Sequence, residues 1–251
     1  MAPFGGSRTL LTEYLMATTY LQAINRVLEK IGEDALDSGT VTLSEQYALL
    51  VGSFINDIKE EIEDAHNWRS LRQTVSVTIA ADAQSGTITE ADERSRLVRI
   101  YQSERGCPVP LCFDVTDATQ PDPLVEMDLA ELIYRDTVDP DNSGDPEYFA
   151  LDNSSGDVLE LFVYPRPTVT TTIQITLVIP QVRLAESDLT ETLKIPIRPL
   201  IVGATWYALE ERGEELGANG MFNELRYKDA LNAAISRDDA EQGNVMELIR
   251  V

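Results

Sequence analysis

Residues 14–68 read YLMATTYLQAINRVLEKIGEDALDSGTVTLSEQYALLVGSFINDIKEEIEDAHNW, which contains two helical patterns in succession. In the first pattern the apolar residues recur at intervals of three and four, so they share one face of a helix. These residues are Tyr14, Ala17, Leu21, Ile24, Leu28 and Ile31. Gly32 follows directly, and a glycine can adopt the left-handed conformation that ends a helix. The first helix is therefore predicted to end at Ile31.

A second helix is predicted after the polar connection of residues 34–40. Thr42 and Glu45 have the spacing of a capping box, in which two side chains satisfy free N–H groups at a helix start. The apolar face of this helix consists of Tyr47, Val51, Phe54, Ile58, Ile62 and Ala65. Because apolar faces of this kind must be buried, we expect a helical hairpin over residues 12–68 that packs on itself or on other helices.

The periodicity changes from helical to alternating after residue 70. Val75, Val77 and Ile79 alternate with polar residues, as in a half-buried strand, and residues 172–179 show the clearest alternation in the chain. Residues 87–89 are interpreted as a strand that returns beside the first one. Further strands are predicted at 97–101, 109–115, 147–151 and 158–164, and a short helix at 124–134. Regular short strands separated by turns indicate a small sandwich or barrel.

Helical periodicity returns at Pro196. Pro199 is compatible with the first turn of a helix, whose apolar face is predicted to contain Ile197, Ile201, Ala204 and Ala208. A last helix is predicted over residues 221–242. The two outer helix pairs can form one bundle if the ends of the β-rich insert lie close together.

The predicted fold class is α+β: a helical bundle built from N- and C-terminal helix pairs, with an inserted antiparallel β-sandwich or barrel-like domain. The predicted organisation has four parts along the sequence. They are a helical hairpin (1–70), a β-rich insert (71–192), a helical pair (193–242) and an apolar C-terminal tail (243–251).

The charge of the chain excludes some partners. Its 251 residues include 43 acidic and 20 basic ones, giving a net charge of -23. Because binding to nucleic acid requires clustered cations, and the basic residues form no block in the sequence, sequence-specific DNA binding is not expected. The acidity either serves solubility or provides a surface past which DNA moves without adhering.

The sequence contains no phosphate-binding glycine motif, and His66 is its one histidine. We interpret His66 as structural, because a cation at the end of a helix complements the helix dipole. Cys107 and Cys112 are interpreted as reduced structural thiols, although they could also face each other across a tight loop. Residues 139–144 match the start of a calcium-binding loop, but position twelve is Ala150, so an ordinary turn is favoured.

The sequence therefore predicts no catalytic residue, no cofactor and no metal site. It also predicts a protein without a secretory signal or a membrane span, because Glu13 interrupts the only candidate apolar run near the N-terminus.

The C-terminal tail is unusually apolar for a chain end. Its apolar residues are Val245, Met246, Leu248, Ile249 and Val251. Two interpretations remain open: a turn that folds back on the helices of the same chain, or a segment that docks on a neighbouring subunit or another partner.

Four short segments carry a family resemblance. Residues 23–33 (AINRVLEKIGE) and 68–71 (WRSL) look like the end of a first helix and the exit of a second helix into β structure. Residues 159–167 (LELFVYPRP) look like a strand that ends in a Pro-x-Pro step, and residues 195–196 precede a return to helix. Together these segments resemble the head-to-tail adaptor proteins of tailed phages, of the tail tubular protein A type.

The resemblance implies a structural virion protein of the neck or tail, assembled in the host cytoplasm. Such a subunit would belong to a homo-oligomeric ring, a dodecamer, between the portal protein and the tail tube or nozzle protein. Genomic DNA would pass through its lumen without specific binding. Because family adaptors commonly use a C-terminal segment against the portal, the resemblance implies portal binding by Val245, Met246, Leu248, Ile249 and Val251.

Two other classes of function are possible from the sequence. A soluble binding module for a small ligand or a cellular protein would be a monomer or dimer with one apolar pocket. A carboxylate-based hydrolase would need a concave pocket with converging acids of raised pKa.

Overall fold

The computed structural model describes residues 18–40, 42–102, 107–117, 119–153, 158–213 and 218–248. Its five helices and several antiparallel sheets confirm the predicted α+β class for the described part. The chain divides into two compact units. The helical unit comprises the residues up to His66 and those from Val182 onward, and the β-rich unit comprises Asn67–Gln181. The helices are α1 (Tyr20–Lys30), α2 (Gln46–Ala65), α3 (Leu129–Val138), α4 (Ile197–Glu211) and α5 (Ala218–Leu248).

Two main sheets form the β-rich unit. The first contains the strand order β1-β13-β6-β7, with β3 also paired to β13, and the second has the order β2-β11-β10-β8. Two short pairs, β4-β5 and β9-β12, complete the described strands. Their bounds are β1 (Arg72–Ile79), β2 (Ser85–Ile88), β3 (Arg96–Leu97), β4 (Arg99–Gln102), β5 (Cys107–Pro110), β6 (Cys112–Asp114), β7 (Asp122–Pro123), β8 (Val125–Glu126), β9 (Ser143–Gly144), β10 (Tyr148–Asp152), β11 (Leu159–Tyr164), β12 (Arg166–Pro167) and β13 (Thr171–Val178).

One apolar core contains side chains from both main sheets. In the first sheet, β1 and β13 pair antiparallel with Val75 opposite Ile175, and both side chains are buried in this core. Phe149 and Leu161, from β10 and β11 of the second sheet, are fully buried in the same core. The alternation of apolar and polar residues in β1 and β13 follows from this arrangement, because each strand buries one face.

Two sequence predictions for the β-rich unit were wrong in detail. The strand near residues 87–89 was expected to return beside β1, but β2 pairs with β11, with Ile88 opposite Leu159. The helix expected at 124–134 begins only at Leu129, because the Asp128 side chain accepts hydrogen bonds from the N–H groups of Ala130 and Glu131. The residues before this cap extend into β8, which pairs with β10.

α1 ends at Lys30 with Ile31 as its C-cap, within one residue of the predicted end, and Gly32 follows with a φ of 79°. Its start is fixed by a capping box that the sequence analysis missed, in which Thr19 and Gln22 each accept a hydrogen bond from the other's backbone N–H. The buried face consists of Tyr20, Ala23, Ile24, Val27 and Leu28. The predicted face was therefore slightly rotated, since Leu21 is only half-buried, and Tyr14 and Ala17 lie outside the described residues.

The capping box predicted at Thr42 and Glu45 was wrong. Glu45 is the N-cap of α2 but makes no side-chain capping hydrogen bond. The chain before α2 is held by a distant segment, because the Leu43 N–H donates to the Glu186 carbonyl at 3.1 Å. α2 also buries more than its predicted face, since Asn56, Lys59 and Glu63 are buried whereas Ala65 is exposed.

α4 packs against α1, α2 and α5 within the helical unit. The close approach depends on Gly203 of α4, which is buried. A Cβ atom at this position would lie 2.8 Å from Ile58 Cγ2 of α2 and 3.0 Å from Tyr227 Cδ2 of α5. Such contacts are shorter than van der Waals separations, so a side chain at residue 203 would force these helices apart.

Replacing Gly203 with valine is therefore expected to lower the free energy of unfolding by about 1–3 kcal/mol, as overpacking of a core does. Urea unfolding followed by circular dichroism measures the change. Gly39→Ala is the matched control, because a Cβ there would have nothing within 4 Å, and its effect should stay below about 0.5 kcal/mol. Equal unfolding midpoints for the two variants would contradict the close packing of α4.

Candidate docking surfaces

α5 is longer than the sequence predicted. The last helix was expected at 221–242, followed by a separate tail, but α5 continues without a break from Ala218 to Leu248. A single glycine inside a helix costs only about 1 kcal/mol relative to alanine, so Gly243 is not sufficient to end it. Val245, Met246 and Leu248 thus belong to the backbone of α5. Ile249 and Val251, and the side chains of residues 242–248, lie outside the description.

Several contacts hold α5 against the rest of the helical unit. Tyr227, Ala230 and Ala234 are buried on its inner face. Nearer its C-terminal end, Asp238 Oδ2 lies 3.0 Å from Nε2 of His66, the residue that caps the C-terminus of α2. His66 thus connects α2 to α5, which fits the structural role predicted for it.

Tyr20, Tyr207 and Cys112 are poor nucleophiles, because their protonated forms are favoured. Burial raises the pKa of Tyr20 to about 12. Burial and a hydrogen bond to Glu61 raise the pKa of Tyr207 to about 12. Cys112 is a free thiol, fully buried, and burial raises its pKa far above the usual range. Its thiolate is therefore scarcely populated at neutral pH; the side chain of Cys107 lies outside the description.

The calcium-like residues 139–144 form a turn and a short strand. Asp139 caps the C-terminus of α3, the Asn142 N–H donates to the Asp139 carbonyl at 3.2 Å, and residues 143–144 form β9. Within the described residues, no three side chains of His, Cys, Asp or Glu are grouped as they would be around a metal ion. None of the helices in the described part has the length and apolar character needed to span a membrane.

A groove of about 990 Å³ lies in the helical unit, lined by α1, α5 and the start of α4. Its apolar lining includes Leu193, Ile195, Pro199, Ile201 and Ala234. Five basic side chains also line it: Arg26, Lys30, Arg198, Arg226 and Arg237. We call this feature the basic groove. No pattern in the sequence predicted this groove, because its cations come from three separate segments.

The cations of the basic groove differ from others in the described chain. Elsewhere, seven basic side chains form ion pairs with carboxylates; they are Lys59, Arg99, Arg135, Arg166, Arg183, Arg212 and Lys228. Within the described residues, the five groove cations form none, although Arg226 lies over the Phe222 ring at 5.7 Å. Burial, followed by the charge of Arg226, lowers the pKa of Lys30. The groove therefore favours a negatively charged occupant.

Apolar side chains are exposed on two helices. Met221, Phe222 and Leu225 of α5 have more than half of their surface accessible. In the β-rich unit, Tyr134 and Val138 of α3 are 67% and 65% exposed. α3 is attached by the buried Leu132 and by Asp136, which accepts two hydrogen bonds from Arg166 at 2.7 and 2.6 Å. Exposed clusters of large apolar side chains are typical of protein interaction sites.

A comparison with protein families assigns the class of this protein. A family profile matches residues 18–247, which include parts of both units, and indicates a phage adaptor of the head-to-tail type. The chain belongs to the family described as SU10 adaptor protein. Proteins of this family are structural adaptors of the virion neck or tail, generally not enzymes, that interact with portal and tail proteins. A search of curated proteins found no match.

The family assignment confirms the predicted resemblance at the level of a phage adaptor. The more specific relation to tail tubular protein A stays a prediction. The portal-binding role of the five C-terminal apolar residues also stays a prediction, because their side chains lie outside the described part.

Proposed function

We propose that this chain is one subunit of a ring that joins the portal of a tailed phage to its tail tube or nozzle. In this proposal twelve copies form the ring, as in adaptors of the tail tubular protein A type. The ring assembles in the host cytoplasm, and genomic DNA passes through its lumen. The family match over residues 18–247 carries the proposal.

The proposed domain organisation follows the two units. We propose that α1, α2, α4 and α5 form a bundle of an N-terminal and a C-terminal helix pair, since α4 contacts the other three. The β-rich unit would then be an inserted sandwich, since one core contains side chains of both main sheets. The C-terminal residues 243–251 would act as a docking tail that begins inside α5.

The net charge of -23 supports the proposed passage of DNA. Attachment of DNA to a protein surface is driven largely by release of counterions when cations approach phosphates. A lumen lined by carboxylates lacks this driving force and repels the DNA backbone. The proposal therefore places exposed acidic residues on the inner wall of the ring.

The length of α5 supports a role of its C-terminal end in portal binding. The helix has 31 residues, about 46 Å at 1.5 Å per residue. Asp238 and Asp239 both lie within 3.6 Å of His66, and nine further helical residues follow them. The apolar side chains of this extension, together with Ile249 and Val251, would be buried against the portal.

Deleting residues 244–251 is expected to weaken binding to purified portal rings of the cognate phage at least about tenfold. The reason is that the apolar side chains removed would each contribute about 1.5–3 kcal/mol when fully buried. Co-sedimentation of the chain with the portal rings measures the change.

A matched pair of full-length variants separates apolar contact from chain length. Val245→Ser, Met246→Ser and Leu248→Ser together should reproduce the effect of the deletion. Asn244→Ser, Glu247→Ser and Arg250→Ser together change polar residues of the same segment and should leave binding nearly unchanged. Wild-type binding by the deletion variant would exclude the tail as a portal contact.

A further inference from the structure

The five cations of the basic groove form no ion pair among the described residues. Glu29 and Asp229 line the groove, but neither forms an ion pair with its five cations. Lys30 and Arg226 are close enough for Arg226 to contribute to the lowered pKa of Lys30. This repulsion between like charges is relieved when a carboxylate enters the groove.

The shape and lining of the groove define what can bind there. α1 and α5 flank it and the first turns of α4 form part of its lining. The lining combines cations with buried apolar side chains such as Ile195, Ile201 and Ala230. A partner segment that carries carboxylates beside apolar atoms would satisfy both kinds of side chain.

Five exposed carboxylates lie near one end of the helical unit. Arg212, the C-cap of α4, donates hydrogen bonds to the Ile31 carbonyl, to Tyr47 and to Glu33. It thereby brings together the C-terminal ends of α1 and α4 and the first turn of α2. The exposed acids there are Glu33, Asp34, Glu45, Glu210 and Glu211. We call this surface the acidic end.

Copies of this chain repel one another over most of their surface, because each has a net charge of -23. A contact between copies is therefore favoured where free cations meet carboxylates. The groove and the acidic end are different surfaces, so their pairing is heterologous, and repetition of such a contact closes a ring when the rotation is suitable.

We propose that the basic groove of one copy receives the acidic end of a second copy, forming the contact between neighbouring subunits. This inference rests on the proposed ring and names the surfaces that build it. Arg198 in the first turn of α4 and Glu210 in its last turn are twelve residues apart, about 18 Å along the helix. Two parts of the proposed interface thus lie near opposite ends of one helix.

Charge reversal tests the pairing. Arg26→Glu with Arg226→Glu is expected to reduce assembly of rings on the portal at least about tenfold. Glu210→Arg with Glu211→Arg should have a similar effect. An equimolar mixture of the two variants should recover assembly, because in an alternating ring the reversed groove of one variant meets the reversed acidic end of the other. A single chain that carries all four substitutions also has opposite charges at every contact and should assemble alone. Arg99→Glu with Lys228→Glu is the control, since it changes the net charge equally at exposed residues outside the groove.

Cross-linking provides a second readout that does not need the portal. A carbodiimide joins a lysine to a carboxylate in direct contact, and a mixture of heavy-nitrogen-labelled and unlabelled chains distinguishes bonds between copies from bonds within one. The expected product links Lys30 of one copy to Glu210 or Glu211 of another. Its yield should fall at high salt, because salt screens exposed charges.

Each outcome decides a different point. The proposed contact would be wrong if the groove variant formed rings as well as the wild type and the wild type gave no Lys30 cross-link. The adaptor function would be unaffected by that result. Failure of the wild type to bind the portal, with the cross-link present, would contradict the adaptor function and not the contact. Binding of short duplex DNA by the wild type, lost in the groove variant, would identify a nucleic-acid site and overturn the proposal.

Discussion

Replacing Lys59 with methionine is expected to lower the free energy of unfolding by about 3–5 kcal/mol. Lys59 and Glu63 are both fully buried in α2, with Lys59 Nζ 3.2 Å from Glu63 Oε1. Removing the ammonium group takes away the cation that lies within hydrogen-bonding distance of a fully buried carboxylate. Urea unfolding of the variant and the wild type measures the difference.

Two further variants show whether the loss of stability comes from breaking this buried ion pair. Lys59→Met with Glu63→Met removes both charges and should recover most of the lost stability, because buried pairs can be replaced by apolar residues at little cost. Lys228→Met breaks an exposed pair of the same spacing and should change the stability by about 0.2–0.5 kcal/mol. Equal effects of Lys59→Met and Lys228→Met would contradict the burial of the α2 pair.

Replacing Ile175 with alanine is expected to lower the free energy of unfolding of the β-rich unit by about 2–5 kcal/mol. Ile175 lies in the middle of β13, is fully buried and faces the core that contains side chains of both main sheets. The substitution leaves a cavity that surrounding strands can fill only in part.

The neighbouring residue provides the control for this prediction. Gln174 is on the same strand and is exposed, so Gln174→Ala should change the stability by less than about 0.5 kcal/mol. Both variants keep the backbone pairing of β13 with β1. If Gln174→Ala were as destabilising as Ile175→Ala, the orientation assigned to β13 would be wrong.

Elements with a strong local pattern were predictable from the sequence. β1 and β13 alternate apolar and polar residues because each strand buries one face. A repeat of two residues in the sequence therefore predicts such a strand. α1 was predictable for the same reason, and Gly32 marked its end because few other residues adopt a positive φ.

Features that depend on distant contacts could not be predicted. The start of α2 is held by the Glu186 carbonyl, which is far from Leu43 in sequence, so the local capping pattern was misleading. Lys59 and Glu63 have the spacing of an ordinary exposed pair on a helix, and only tertiary packing buries them.

The basic groove also depends on residues that are distant in the sequence, so it could not be predicted. Its cations, among them Arg26, Arg198 and Arg237, come from α1, α4 and α5. These residues are far apart in the sequence, and folding brings them together. The acidity of the whole chain follows from its composition, whereas the presence of five cations in one groove follows only from the fold.

Electron microscopy of portal rings mixed with the purified chain shows whether the chain assembles on the portal. We expect an additional ring-shaped layer on the portal, with exposed carboxylates along its channel and with α5 directed toward the portal. Portal rings of the cognate phage that remain bare at saturating concentrations of the chain would contradict the proposed adaptor function.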